Sequence, residues 1–185
     1  MVKFLKNRYL SSNWLLSIVL TLTCIIHFKV QATHLIIPMD QVQKNHLKSY
    51  GIAFYALENK IEVDWLLNYR GGAFAVKLNE DILKECKIRG VSFEIIADIQ
   101  YNKIVSDITQ PEINQDIIKL EKAPKIAVYS PKNKQPWDDA VTLVMSYAEI
   151  SYDIIYDEEI MKDDLTKYDW LHLHHEDFTG QYLSL

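Results

Sequence analysis

The sequence predicts an α/β protein with three layers built around a mainly parallel sheet. Three observations carry this. Residues 125 to 174 alternate strand, helix, strand, helix and strand, the order of half a doubly wound parallel sheet. A strand followed by an amphipathic helix also opens the globular part, between His34 and Asn59. Finally, 185 residues with 49% apolar and 11% aromatic content are enough for one domain with a real core.

The elements follow in order. His34-Leu35-Ile36-Ile37 is a short apolar strand ended by Pro38, and Asp40 with Gln43 three residues on has the spacing of a helix start. Leu47, Tyr50, Phe54 and Leu57 recur at three and four, a stripe expected to face a sheet, in a helix ending near Asn59. Val63 to Tyr69 and Ala73 to Val76 are strands on either side of Arg70-Gly71-Gly72, whose glycines suit a hairpin or a bend. Asn79 is placed to cap a helix carrying Ile82, Leu83 and Cys86, and Gly90 to close it after Arg89. Val91 to Ile95 then reads as a strand. Residues 97 to 123 pattern as two short helices around Pro111, with Tyr101, Ile104 and Ile108 on the first and Ile113, Ile117, Ile118 and Leu120 on the second.

In the last third, Lys125 to Tyr129 is an uninterrupted strand, and Ser130 to Pro136 is a polar loop. The next helix carries Trp137, Val141, Val144, Met145 and Ala148, with Asp138 and Asp139 in its first turn where the helix dipole favours anions. Tyr152 to Ile155 is a strand, 158 to 165 a short helix, and Tyr168 to His174 a third strand. The organisation expected is a signal peptide over 1–32, an N-terminal α/β subdomain over 33–108, a linker helix over 109–124, and a β-α-β-α-β unit over 125–185.

The signal peptide rests on the first residues. Lys3, Lys6 and Arg8 precede an apolar run from Leu15 to Phe28, and Val30-Gln31-Ala32 offers small residues before a cut. That run of about 14 residues is shorter than the roughly 20 that cross a bilayer. The chain is therefore expected to be exported to the periplasm or cell envelope, meeting the membrane only through this peptide before cleavage. Removing it takes away four of the 20 basic residues and none of the 25 acidic ones, leaving 16 against 25, a formal net charge of −9. That balance argues against nucleic acid as a partner, because phosphate backbones reward clustered Lys and Arg. A small-molecule ligand or an envelope protein is the expected partner. Of the two cysteines only Cys86 remains, so no internal disulfide forms and the core must hold the fold.

Side chains with chemical potential concentrate near the C-terminus. His172-Leu173-His174-His175-Glu176-Asp177 is the densest set, and strand alternation places Trp170, His172 and His174 on one face. His172 and His174 with Glu176 are a candidate zinc set, with Asp177 an alternative oxygen donor and His174, His175 and Glu176 the candidate catalytic groups. Ordinary hydrogen-bonded histidines at a strand end are the competing reading. In open parallel sheets ligands bind beyond the carboxyl ends of the strands. The loops after strands 125–129 and 168–174 both lie there, so Ser130, Lys132, Asn133 and Lys134 are expected to face His174, His175 and Glu176 across a crevice. Arg70, beside two glycines, is a candidate anion cradle, against the simpler reading of a turn. No phosphate-binding loop and no G-x-S-x-G elbow occurs.

Ile126 to Tyr129, the stripe from Trp137 to Ala148, and Asp164 to His174 resemble the opening strands and helices of class I glutamine amidotransferase-like, flavodoxin-like domains. The runs Pro38-Met39-Asp40, Trp65 to Gly72, and His172 to Tyr182 resemble a family of exported Bacteroidetes proteins that goes by the name asparagine synthetase B. The resemblance spans nearly all of the chain after Ala32. It implies a chain continuing past Tyr182, so that this one would be truncated, and its name implies ATP-dependent amidation of aspartate. That chemistry needs an N-terminal cysteine nucleophile and a Ser-Gly-Gly type pyrophosphate loop, and neither is present. A class I amidotransferase needs a cysteine on a strand-to-helix elbow, whereas Cys86 falls late in an amphipathic helix. The expectation is therefore a binding protein that is not catalytic as it stands. A metal-dependent hydrolase using His172, His174 and Glu176, or an inactive fragment of a longer protein, are the alternatives.

Overall fold

The computed structural model describes residues 32–130 and 140–173. Expectations that fall on 1–31, including the signal peptide, lie outside the described residues.

The first part of the fold runs β1 (Ala32–Ile37), α1 (His46–Glu58), β2 (Val63–Leu67), β3 (Ala73–Lys77), α2 (Glu80–Arg89), β4 (Glu94–Ala97), α3 (Asp98–Ile108) and β5 (Asp116–Leu120). Its five strands lie in the order β4-β1-β3-β2-β5, and every neighbouring pair is antiparallel. The first four strands with α1 and α2 thus have the split βαβ connectivity of ferredoxin-like sheets. This corrects the expectation of a mainly parallel sheet. β1 and β2 run the same way, as a strand-helix-strand crossover requires, but β3 inserts between them and β4 adds beside β1. Strand and helix alternation along a chain does not specify which strands become neighbours.

Local signals explain most of these elements. The β2–β3 hairpin turns at Arg70-Gly71-Gly72, where all three residues have positive φ. A Cβ on Gly71 would lie 2.4 Å from the Met39 carbonyl oxygen, so only glycine allows this turn to pack against the segment after β1. Asn79 caps α2 by accepting from Asp81 N and Ile82 N, and Gly90 closes it at φ 68°. Asp40 and Gln43 do not begin α1. They form a turn, and the buried Gln43 amide accepts from Ser92 N and donates to Pro38 O. Asn45, accepting from Lys48 N, is the cap instead.

The linker helix expected over 109–124 is replaced in part by β5, which pairs with β2 from Val63↔Leu120 to Leu67↔Asp116. Ile117 and Ile118 are β-branched and suit a pleated surface. A short apolar run does not separate strand from helix by periodicity.

The second part comprises β6 (Ile126–Tyr129), α4 (Ala140–Ala148), β7 (Asp153–Ile155), α5 (Asp157–Met161), a 3₁₀ turn (Asp164–Lys167) and β8 (Trp170–Leu173). Here the three strands are parallel in the order β7-β6-β8, as the alternating pattern predicts. The protein is mixed α/β with two sheets of opposite character.

One helix serves both sheets. Ile52, Ala53, Ala56 and Leu57 of α1 pack with Leu35, Ile37, Phe74, Val76, Ile82 and Cys86 on one face of the antiparallel sheet, while Phe54 packs with Ile126 and Met145 of the parallel unit. At roughly 1.5–3 kcal/mol per fully buried Leu, Ile or Phe side chain, both contacts are substantial. This explains why Leu47 and Tyr50, read as part of the buried stripe, are 40% and 45% exposed, whereas Ser49 and Gly51 are buried. Gly51 meets the end of α4, where a Cβ would lie 1.7 Å from the Ala148 carbonyl oxygen. Glu149, the next residue, accepts from Lys48 of α1 at 2.7 Å and pairs with Arg89 of α2 at 3.2 Å. On the opposite face of the antiparallel sheet, Tyr101, Ile104 and Ile108 of α3 cover Ile36, Leu66, Ala73 and Ala75.

Candidate functional site

The crevice expected from the sequence requires that the strands before its two loops run the same way and end together. β6 and β8 do both. Ile126 pairs with Trp170 and Tyr129 with Leu173 in a parallel register, so the two strands reach the same level at their carboxyl ends. Val128 lies opposite His172, and alternation puts Ser130, two residues beyond Val128, on that same face. Ser130 extends the ladder, donating its backbone N–H to Ile155 O at 3.1 Å. Its side chain is fully buried, and its Oγ has no hydrogen-bond partner among the described residues. An unpaired buried hydroxyl costs about 1–3 kcal/mol, so this is an unusual place for a serine unless something else satisfies it. On the other face, Tyr129 OH donates to Asp157 Oδ1 at 2.7 Å, tying the strand end to the first turn of α5.

Of the other residues singled out in the sequence, His172 is half-buried on β8, one position before the last described residue. Lys132, Asn133, Lys134, His174, His175, Glu176 and Asp177 lie outside the described residues, and with them two of the three proposed zinc ligands.

Arg70 is not an open anion cradle. Its Nε donates to Asp40 Oδ2 at 2.8 Å and its Nη1 to Glu94 Oε1 at 2.7 Å. The guanidinium therefore fastens the hairpin turn to the segment after β1 and to the start of β4. Two carboxylates hold its positive charge, and the hydrogen bond from Arg70 keeps Asp40 below the usual carboxylate range. Cys86 is core, as expected, and burial pushes its thiol up to about 12. It is protonated and unreactive at neutral pH.

Two cavities lie away from the predicted crevice. One, of about 530 Å³, opens at the amino ends of β6 and β7, between Phe54, Leu57, Lys60, Pro124 and Tyr152. The other, of about 450 Å³, lies at the end of the antiparallel sheet where β1 and β2 begin and β3 ends, and its wall includes His34, Asp64, Lys77, Tyr101 and Lys119. Tyr101 OH donates to Asp64 Oδ2 at 2.5 Å, and its ring stacks on His34 at 4.0 Å and 8°. Burial and the Asp64 carboxylate push the Tyr101 phenol well above its ordinary value, so it stays a donor. Sequence reading missed this group by treating Tyr101 only as part of an apolar stripe. The signal was Asp64, a carboxylate inside the otherwise apolar run Val63-Asp64-Trp65-Leu66-Leu67.

Comparison with protein-family models, with curated proteins and with solved structures finds no match to this chain.

Proposed function

We propose that this protein is an exported binding protein of the cell envelope that holds a small polar ligand at the carboxyl ends of β6 and β8 and does not catalyse a reaction on it. The observation that carries this reading is the buried, unpartnered hydroxyl of Ser130 at the point where two in-register parallel strands end together. Open parallel sheets bind ligands at this end, and a ligand acceptor or donor would satisfy the serine. Export is carried by the basic and then apolar N-terminal pattern, and the net negative charge favours a small molecule or a protein over nucleic acid. The resemblance to the exported family bearing the asparagine synthetase B name supports the same reading. The absent nucleophile and pyrophosphate loop set aside the amidation that name describes.

The test is an amide-resolved NMR screen of the full chain against a library of small polar metabolites. Binding should shift Tyr129, Ser130, His172 and Leu173 together, and Ser130→Val should abolish the shifts while leaving the rest of the spectrum in place. Shifts confined to other regions, or binding unaffected by Ser130→Val, would refute the assignment.

A further inference from the structure

The cavity at the end of the antiparallel sheet has chemistry of its own. Side chains of both signs meet here on neighbouring strands: Asp64 of β2 lies opposite Lys119 of β5, and Lys77 of β3 lies opposite His34 of β1. Some of this charge is already committed. Lys119 donates to Glu62 at 3.0 Å, and Asp64 accepts the Tyr101 phenol on Oδ2. Two groups keep capacity. Asp64 Oδ1 has no hydrogen-bond partner among the described residues, although Lys119 opposite it shares its field, and the ammonium of Lys77 has no hydrogen-bond partner among them either. Asp64 is half-buried, which strengthens any charge-assisted bond it makes. The stacked rings of Tyr101 and His34 lie beside Asp64 on this face.

A ligand of single charge fits poorly. An anion would meet Asp64 and Glu62, and a cation would meet Lys77 and Lys119. A zwitterion of matching size meets neither objection, because its ammonium can bind the free carboxylate oxygen and its carboxylate the free ammonium. A volume of about 450 Å³ lies in the ordinary range of small-molecule sites. We propose that this cavity binds a free α-amino acid, with the ligand ammonium on Asp64 and its carboxylate on Lys77. The Tyr101 hydrogen bond and the His34 stack fix Asp64 in place before the ligand arrives, so little ordering is needed on binding.

The experiment is calorimetric titration of the full chain with glycine, L-alanine, L-leucine, L-glutamate and L-lysine, followed by amide NMR to locate the site. At least one amino acid should bind saturably and shift Asp64, Lys77 and Tyr101. Its carboxamide and its N-acetyl derivative should each bind about tenfold or more weakly, since each loses one charge-assisted contact. Lys77→Met changes an exposed side chain, and Asp64→Asn keeps shape and an acceptor for Tyr101. Each should weaken binding by a similar factor with the far-UV dichroism unchanged. Ser130→Val should leave this binding intact, which separates the outcome here from that at the parallel sheet. Absence of binding by all five amino acids, equal binding of acid and carboxamide, or full affinity in Lys77→Met would overturn the proposal.

Discussion

Single side chains settle where this protein spends its charge. Arg70 is the clearest case, since one guanidinium joins Asp40 and Glu94 and thereby three separate segments. Asp40, Glu149 and Asp169 all sit below their ordinary values because Arg70, Lys48 and Lys122 respectively donate hydrogen bonds to them. For a carboxylate lowered in the folded state, the stabilisation is present above its unfolded value and is lost as pH falls through the folded one. Thermal stability should therefore drop on acidification from roughly pH 5 to 3, and the drop should be smaller in Arg70→Met, where Asp40 loses its partner; parallel curves for the two proteins would contradict this. At the other end of the sheet, Tyr101→Phe removes the phenol from a half-buried carboxylate. A loss of about 1–2 kcal/mol in urea unfolding is expected, and an unchanged midpoint would mean that water replaces the phenol at no cost.

Among the elements, α1 carries the most structural consequence because it is buried on two sides. Gly51 is where its backbone admits the end of α4, with no room for even one methyl group beside the Ala148 carbonyl. Gly51→Ala should cost roughly 2–3 kcal/mol through overpacking, despite alanine's better helix propensity, and a more stable variant would show that the two helices separate easily. The sequence read most elements correctly where the signal was local: the Asn79 and Gly90 ends of α2, the glycine hairpin, and the strand-helix alternation after Lys125. It read poorly where tertiary neighbours decide. Leu47 and Tyr50 fall on an apolar stripe yet stay largely exposed, because the sides of α1 that are buried carry Ile52, Ala53, Ala56 and Leu57 against the antiparallel sheet and Phe54 against the parallel unit. Ile117 and Ile118 match a helix face or a strand equally well until β2 offers an edge. Of the candidate site, the parallel direction of the strands behind Ser130 was legible, whereas the register that sets Val128 opposite His172, and so Ser130 on the face of His172, was not. The Asp64, Tyr101 and His34 cluster was not, because residues far apart in sequence meet only once the sheet order β1-β3-β2-β5 is known.

For the whole molecule, the sharing of α1 makes the two sheets one folding unit. Trp65 lies in the antiparallel sheet and Trp170 in the parallel one. With Trp14 and Trp137 also replaced by Phe, unfolding followed through fluorescence of Trp65→Phe and of Trp170→Phe should give coincident midpoints, and two separated transitions would show that the parallel unit melts alone. Within that unit the binding reading depends on a hydroxyl kept buried and unpaired at the end of the central strand β6, a local cost that a ligand would offset. Equilibrium urea unfolding of ligand-free Ser130→Ala beside the parent chain tests this most directly. A stability gain of about 1 kcal/mol is expected from removing the unsatisfied group, whereas equal or lower stability would show that the hydroxyl is already satisfied within the protein and is not held for a ligand.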